Sequence, residues 1–334
     1  MRFRFKPTSE QRTALRRQMV RLQQPAAALE MLHAILPSGF KATDVICTLQ
    51  SVHPDRFVMR VQARSVERNE RAYALKVYSD DFVQQVWTYS QSLAEYYQPT
   101  ASGLCLPLSY VPQERALIFD WVEGEFLSEI VDERKPGLLR RAARIAADLH
   151  RLAIVPEERT TAQMIVEETL ARCGRLLDRW PETTQIIEPL IATLQEAVSW
   201  LESTAPAPIH GDMAARQFLW TGDRLVLLDL DMFGYADPAY DAGHFLAQLE
   251  RRCVVDPSVR CHAAQWLDAF RDTYLAAVPT VSPRNISFYR GLTLIRKIYT
   301  LCRREPDQWP RFVPQLAERA ETALREVLSP ELIR

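Results

Sequence analysis

The spacing of hydrophobic and polar positions changes period along the chain. Residues 8–36 carry apolar positions at helical spacing, with Leu15, Met19 and Leu22 inward, and break near QQPAAALEM, where Pro25 can open a second short helix at its first turn. From residue 44 the period falls to two. DVICTLQ (44–50), RFVMRVQA (56–63) and AYALKVY (72–78) are rich in β-formers and are separated by the turn-like SVHPD and the polar RSVERNE, which predicts an antiparallel meander. Side-chain alternation on the last of these strands places Ala74, Lys76 and Tyr78 on one face and Tyr73, Leu75 and Val77 on the other. A helix follows from Phe82 to about Tyr97, then two strands at 104–111 and 116–122.

Beyond Leu138 the pattern is helical, over 138–153, 162–179, 184–202, 261–278, 286–304 and 311–328, with another helix beginning near Tyr240. One segment interrupts it. QFLW (217–220) and RLVLLD (224–229), joined by TGD, predict a β-hairpin inside the helical region.

At 334 residues, 47% apolar and 25% charged, the chain has the balance of a folded globular protein with room for two lobes around a cleft. A formal charge of -1 asks for neither nucleic acid nor an anionic membrane as partner. Six cysteines without a CxxC pair read as reduced thiols. No apolar run reaches the roughly 18–20 residues of a membrane span, and the basic N-terminus lacks the apolar core of a secretory signal, so a cytoplasmic location is expected. Oligomeric state is not legible.

The candidate chemistry sits at the hairpin. APIHGDMAARQFLW (207–220) puts an acid immediately before an apolar strand, where an unpaired carboxylate would lose its hydration. Counting outward from Asp223, Gln217 and Asp229 fall opposite each other across the hairpin, with Asp212 five residues before Gln217. Two carboxylates and an amide oxygen converging there suit a hard divalent ion such as Mg²⁺, whose shell is completed by water and phosphate oxygens.

HGD, an amide five residues after the aspartate, a hairpin, and then LLDLDMFGYADPAYD together resemble the aminoglycoside phosphotransferase and choline kinase superfamily. That resemblance implies an α+β, bilobal, protein-kinase-like fold. It would comprise an N-terminal helical extension (1–40), a small antiparallel β-sheet lobe binding nucleotide (41–122) and a mainly helical lobe (123–334). It further implies an ATP- and Mg²⁺-dependent transfer of a phosphoryl group to a hydroxyl of a small molecule. By resemblance, Asp212 is the catalytic base, and Asp229, Gln217 and Asp231 hold metal. Lys76 contacts the α- and β-phosphates, Ala74 leaves room for the base, and backbone groups of Asp120, Trp121 and Val122 form the hinge that pairs with adenine. His210 is expected to hydrogen-bond within the loop, and Asp237 and Asp241 to brace it and cap the following helix, whereas His150, His244 and His262 have no partner at ligand spacing.

Three positions depart from the family pattern: Gln217 replaces the usual Asn, Asp55 stands in a turn that elsewhere holds Gly, and Thr88 occupies the place of the glutamate that pairs with the strand lysine. They motivate a second reading, a pseudokinase that binds nucleotide or a protein partner without turnover. The acceptor pocket is expected from the helices spanning 261–328, which mix Asp268 and Asp272 with Arg284, Arg290, Arg296 and Lys297 and so do not announce the acidic pocket a polycation needs.

Overall fold

Thr8 and Gln11 cap each other reciprocally, Thr8 Oγ1 accepting from Gln11 N (3.1 Å) and Gln11 Oε1 from Thr8 N (2.8 Å), and from this cap α1 runs Ser9–Leu22. Pro25 occupies the first position of α2 (Pro25–Leu32), as its spacing predicts. The computed structural model describes residues 7–33, 35–38, 40–67, 69–96, 103–304, 307 and 309–329; Tyr97, where the third helix was expected to end, lies outside them.

Next come β1 (Ala42–Val52), β2 (Arg56–Ser65), β3 (Glu70–Tyr78), α3 (Phe82–Tyr96), β4 (Gly103–Leu104), β5 (Ser109–Val111) and β6 (Ala116–Asp120). Five of the strands form an antiparallel sheet in the order β1-β2-β3-β6-β5. Its two faces are divided by alternation. Phe57, Met59, Val61, Tyr73, Leu75 and Val77 pack under Leu15, Leu22 and Leu32 of the two N-terminal helices, while Tyr78 and Leu117 meet Val83 and Val86 of α3. Lys76 therefore leaves the sheet on the side away from α1 and α2.

The strand expected over 104–111 is split. Pro107 has no N–H for a ladder, and here the chain crosses between sheets: β5 pairs with β6, whereas β4 runs parallel to a strand of the hairpin.

The helical part contains β7 (Glu125–Phe126), α4 (Lys135–His150), α5 (Ala162–Arg179), α6 (Thr184–Val198), β8 (Ala207–Ile209), β9 (Phe218–Trp220), β10 (Leu225–Leu227), β11 (Gly234–Ala236), α7 (Ala239–Val255), α8 (Ala263–Ala277), α9 (Pro283–Arg304) and α10 (Trp309–Leu328). One hydrophobic core runs through α4 to α10 and takes in the hairpin through Phe218, Leu225 and Leu227. The small sheets β4-β10-β9-β7 and β11-β8 sit against it. Among the described residues no helix is long and apolar enough to cross a membrane.

The hairpin register differs by one from the expected one. Leu225 pairs with Trp220 and Leu227 with Phe218, and Leu228 N donates to Gln217 O at 2.7 Å, so Leu228 rather than Asp229 faces Gln217. The turn is the two-residue type, closed by Thr221 N to Arg224 O (3.0 Å), so its centre lies between Gly222 and Asp223 and not on Asp223. Asp229 is reached one residue later, at φ 65°. Left-handed backbone costs an L-residue about 1–2 kcal/mol, and it turns this carboxylate out of the strand and towards the sheet lobe.

Candidate active site

The loop leaving β8 is held by one buried acid. His210 N donates to Asp241 Oδ2 (2.6 Å) and Gly211 N to Asp241 Oδ1 (2.9 Å), while His150 Nε2 reaches the same carboxylate at 3.1 Å. Burial alone would raise the pKa of Asp241, but the hydrogen bonds from His150 and the loop N–H groups hold it below the ordinary value. Gly211 sits at φ 79°, and a Cβ there would come within 2.2 Å of Met232 O, so the turn admits no side chain. His210 then ties two loops together: Nε2 donates to Leu228 O (2.9 Å) and Nδ1 accepts from Asp212 N (3.3 Å). Asp237 accepts from Ala239 N (3.0 Å) and Asn285 Nδ2 (2.8 Å) at the head of α7. The bracing expected of His210, Asp237 and Asp241 is the bracing found.

From the sheet lobe, Lys76 crosses to the loop after β10. Its Nζ lies 2.6 Å from Asp229 Oδ1 and 2.7 Å from Asp231 Oδ1. Tyr78 OH also donates to Asp231 Oδ1 (2.6 Å), and Arg56 Nε stands 3.4 Å from Asp231 Oδ2. Burial works to raise the pKa of Asp229, but Lys76 first, then Arg56 and His210, hold it well below the carboxylate range. Asp231 is not solvated, since only 4% of its side chain is exposed against 27% for Asp229. Thr88 is exposed and donates to its own helix at Gln84 O, and Glu95 is exposed as well, so α3 brings no acid to Lys76. Asp55 is engaged by the neighbouring Arg56 at 3.1 Å, which offsets the extra charge in that turn.

Asp212 lies at the other end of the bridge formed by His210. Its Oδ2 accepts from Arg216 Nη2 (2.5 Å) and Gln217 Nε2 (3.4 Å), and its Oδ1 is 3.3 Å from His244 Nε2. Burial opposes ionisation, but His244 and Arg216 together keep the carboxyl far below its usual pKa. His244 is itself pushed down to about 4, by burial above all, so at neutral pH it is an uncharged donor. Gln217 turns its amide nitrogen to Asp212, which directs its oxygen elsewhere.

A family profile described as the phosphotransferase enzyme family matches residues 68–284. The chain belongs to that family. No curated protein matches its sequence. Among solved structures, a choline/ethanolamine kinase family protein from Mesorhizobium loti is 16% identical with a TM-score of 0.59, over 92% of this chain and 97% of that one. Choline kinase LicA from Streptococcus pneumoniae is 12% identical with a TM-score of 0.58, over 90% and 99%. A thermostable mutant of aminoglycoside phosphotransferase APH(4)-Ia, in ternary complex with ADP and hygromycin B, is 13% identical with a TM-score of 0.58, over 91% and 98%. At such identities the likeness is one of fold: an α+β, protein-kinase-like arrangement of an antiparallel sheet lobe and a mainly helical lobe.

In this phosphotransferase Asp120 and Trp121, expected in the hinge, continue the sheet ladder. Tyr73 pairs with Asp120 and Ala74 with Phe119, and Trp121 N donates to Ala72 O (3.0 Å), so the Trp121 N–H is already used and adenine would have to pair with other hinge groups. Arg60 stacks 4.7 Å over the Trp121 ring, and a cavity of about 700 Å³ lies outside the hinge, lined by Arg60, Ala72, Asp120, Trp121, Val122 and Glu123. The donor set itself fits a metal and phosphates. Among the described residues no group of three or more His, Cys, Asp or Glu could hold an ion, so Asp229 and Asp231 supply two carboxylates, which would suit Mg²⁺ only with phosphate oxygens added. Lys76 and Arg56, now on those acids, are the cations that could meet phosphate oxygens there.

Three side chains around Asp212, Arg216, His244 and Gln248, were not placed there by the sequence, whereas Lys297 was expected in the acceptor pocket without a partner. Arg216 lies inside the quoted motif, and His244 follows Asp241 by three residues, so both face the same loop from one side of α7. Lys297 comes from α9, within the helices expected to build the acceptor pocket, but nothing local singles it out from the other basic residues there.

Proposed function

We propose that this member of the phosphotransferase family transfers the γ-phosphoryl group of ATP to a hydroxyl of a small molecule. One observation carries the reading. Lys76 of the sheet lobe stands within 2.6–2.7 Å of both Asp229 and Asp231, and His210 connects the residue before Asp229 to the Asp212 backbone, so the residues read as phosphate, metal and base groups lie in one constellation. Relatives of this fold were solved with ADP and hygromycin B and with GDP and kanamycin, which supports a nucleotide and a hydroxylated acceptor.

In this reading Asp229, Asp231 and the Gln217 oxygen would hold Mg²⁺, which would supply charge neutralisation for the phosphates. Lys76 and Arg56 move from the bare acids onto phosphate oxygens. Asp212, ionised at neutral pH, orients the acceptor hydroxyl and takes its proton as the new O–P bond forms and the bond from the γ-phosphorus to the leaving oxygen of ADP breaks. A carboxylate with so low a pKa is a weak base, which suits a reaction that relies on positioning more than on proton abstraction.

The pseudokinase reading is favoured by one observation, that α3 offers Lys76 no carboxylate. One experiment separates the two: ADP formation from Mg²⁺-ATP over a panel of hydroxylated metabolites, with Asp212→Ala as control. Turnover in the wild type and its loss in the variant support the kinase; tight Mg²⁺-nucleotide binding with no turnover on any acceptor supports the pseudokinase.

A further inference from the structure

The acceptor side of Asp212 is walled by cations. Arg216 reaches it from the loop, and with the Gln248 amide oriented so that its oxygen meets donors, that oxygen accepts from Lys297 Nζ (2.7 Å), Arg216 Nη1 (3.1 Å) and His244 Nε2 (3.2 Å). A neutral amide therefore stands where two cations converge. Among the described residues no carboxylate lies within ion-pair reach of Lys297, and Arg216 has Asp212 alone. Behind them Arg296 takes Glu168 at 3.2 Å, and Arg172 shares that acid.

Four basic side chains, Arg216, Lys297, Arg296 and Arg172, thus meet two carboxylates, Asp212 and Glu168, and His244 adds a donor without adding charge. The acids that the sequence placed near the acceptor turn elsewhere: Asp268 and Asp272 pair with Arg271 on the exposed face of α8. The close approach of α7 and α9 creates the corner, since a Cβ on Gly243 would fall 2.6 Å from Ile286 O. Asp212 and Arg216 stay partly open, with 31% and 48% of their side chains exposed.

On the phosphotransferase reading above, we propose that the acceptor carries an oxyanion, a carboxylate or a phosphate, which Arg216 and Lys297 bind while Asp212 faces its hydroxyl. A guanidinium has five donors, so Arg216 can keep Asp212 in place and still grip the anion. The pKa of Lys297 is lowered to about 7, by burial first and then by the charges of Arg216, Arg296 and Arg251, against the pull of Asp212. An anion arriving there relieves the repulsion. A polycationic aminoglycoside or a quaternary amine would add to it.

The test uses the full chain loaded with Mg²⁺-ADP for binding and with Mg²⁺-ATP for turnover. The probes are matched sets: glycerol, glycerate and glycerol 3-phosphate; glucose, gluconate and glucose 6-phosphate; and kanamycin. Melting shifts and ADP formation are read for the wild type, Arg216→Gln and Lys297→Met. At least one anionic probe should outperform its neutral partner by about 10-fold or more in apparent affinity or kcat/KM, and that advantage should fall about 10-fold in either variant, chiefly through KM. The carboxylate and phosphate arms say which oxyanion is preferred. The proposal is overturned, with the kinase reading intact, by preference for neutral or cationic probes, by no response to any anion in a protein that binds Mg²⁺-ADP, or by an anion response unchanged in both variants. Absence of Mg²⁺-nucleotide binding overturns both. Arg216 is half exposed, so its variant remains informative should Lys297→Met misfold.

Discussion

His244 Nε2 sits 3.3 Å from Asp212 Oδ1, and the two groups have opposite relations to burial: the acid stays charged because it has donors, the imidazole stays neutral because it is enclosed. Thr293 Oγ1, 3.4 Å from Nδ1, completes the ring's hydrogen bonds. The folded pKa of His244, about 4, lies below its unfolded value near 6.5. Between those values the unfolded chain takes up a proton that the folded chain refuses, so stability is full above pH 6.5 and falls as pH drops towards 4. Two to three pKa units correspond to about 3 kcal/mol. Urea unfolding from pH 7 to 4.5 should therefore show a shallower loss in His244→Gln than in the wild type; parallel curves would refute the assignment.

Asp241 collects two backbone N–H groups and a histidine while fully buried. An asparagine has one acceptor oxygen and would aim its NH₂ at donors. We expect Asp241→Asn to cost about 3 kcal/mol and lower the melting temperature by several degrees. Turnover should fall too, because the lost bonds hold the two residues preceding Asp212. Calorimetry and kcat on one preparation check both; a variant with normal stability and normal kcat would contradict the bracing role.

The residues visible in the sequence were those whose chemistry is local. Asp212 and Gln217 are neighbours in space because they are five apart on a tight loop, and Asp229 and Asp231 follow from the hairpin. The register was off by one because a two-residue turn centres between residues, and Asp229 compensates with a left-handed backbone that no pattern announces. Lys76 was legible through strand alternation, and its partners were not, since they lie 153 and 155 residues away. Arg216 and Lys297 were mixed among other charges, and only the crossing of α7 and α9 selects them from Arg284 and Arg290, which pair with Glu202, Glu250 and Glu326.

That crossing depends on Gly243. A methyl group there would meet Ile286 O at 2.6 Å and Tyr289 Cβ at 2.7 Å, both on the facing helix and neither able to swing aside. Gly243→Ala should destabilise by about 2 kcal/mol through forced separation of α7 and α9. It should also raise KM for the acceptor, since His244 and Lys297 move apart, while KM for ATP changes little. A melting temperature at or above wild type would show that the helices accommodate the methyl.

Asp229 and Asp231 share the Lys76 ammonium but differ in surroundings, and their variants should differ in kind. Asp231 is almost closed to solvent and holds Lys76, Tyr78 and Arg56 at once, so Asp231→Asn leaves three donors around a single amide oxygen. Loss of a buried, multiply bonded carboxylate costs about 3 kcal/mol, and the melting temperature should drop accordingly. Asp229 is more open and keeps a left-handed backbone that asparagine tolerates well. Asp229→Asn leaves Lys76 its bond to Asp231 and should cost less stability than Asp231→Asn. Turnover responds in the reverse order. On the proposed function Asp229, the more open of the two, is the carboxylate an incoming metal would meet first, and its amide variant should lose about 10³-fold or more in kcat with a raised Mg²⁺ requirement. Melting curves and Mg²⁺ titrations of the two variants, run side by side, decide the matter: equal losses of stability and equal losses of kcat would mean that the pair acts as one unit and that the division drawn from exposure is wrong.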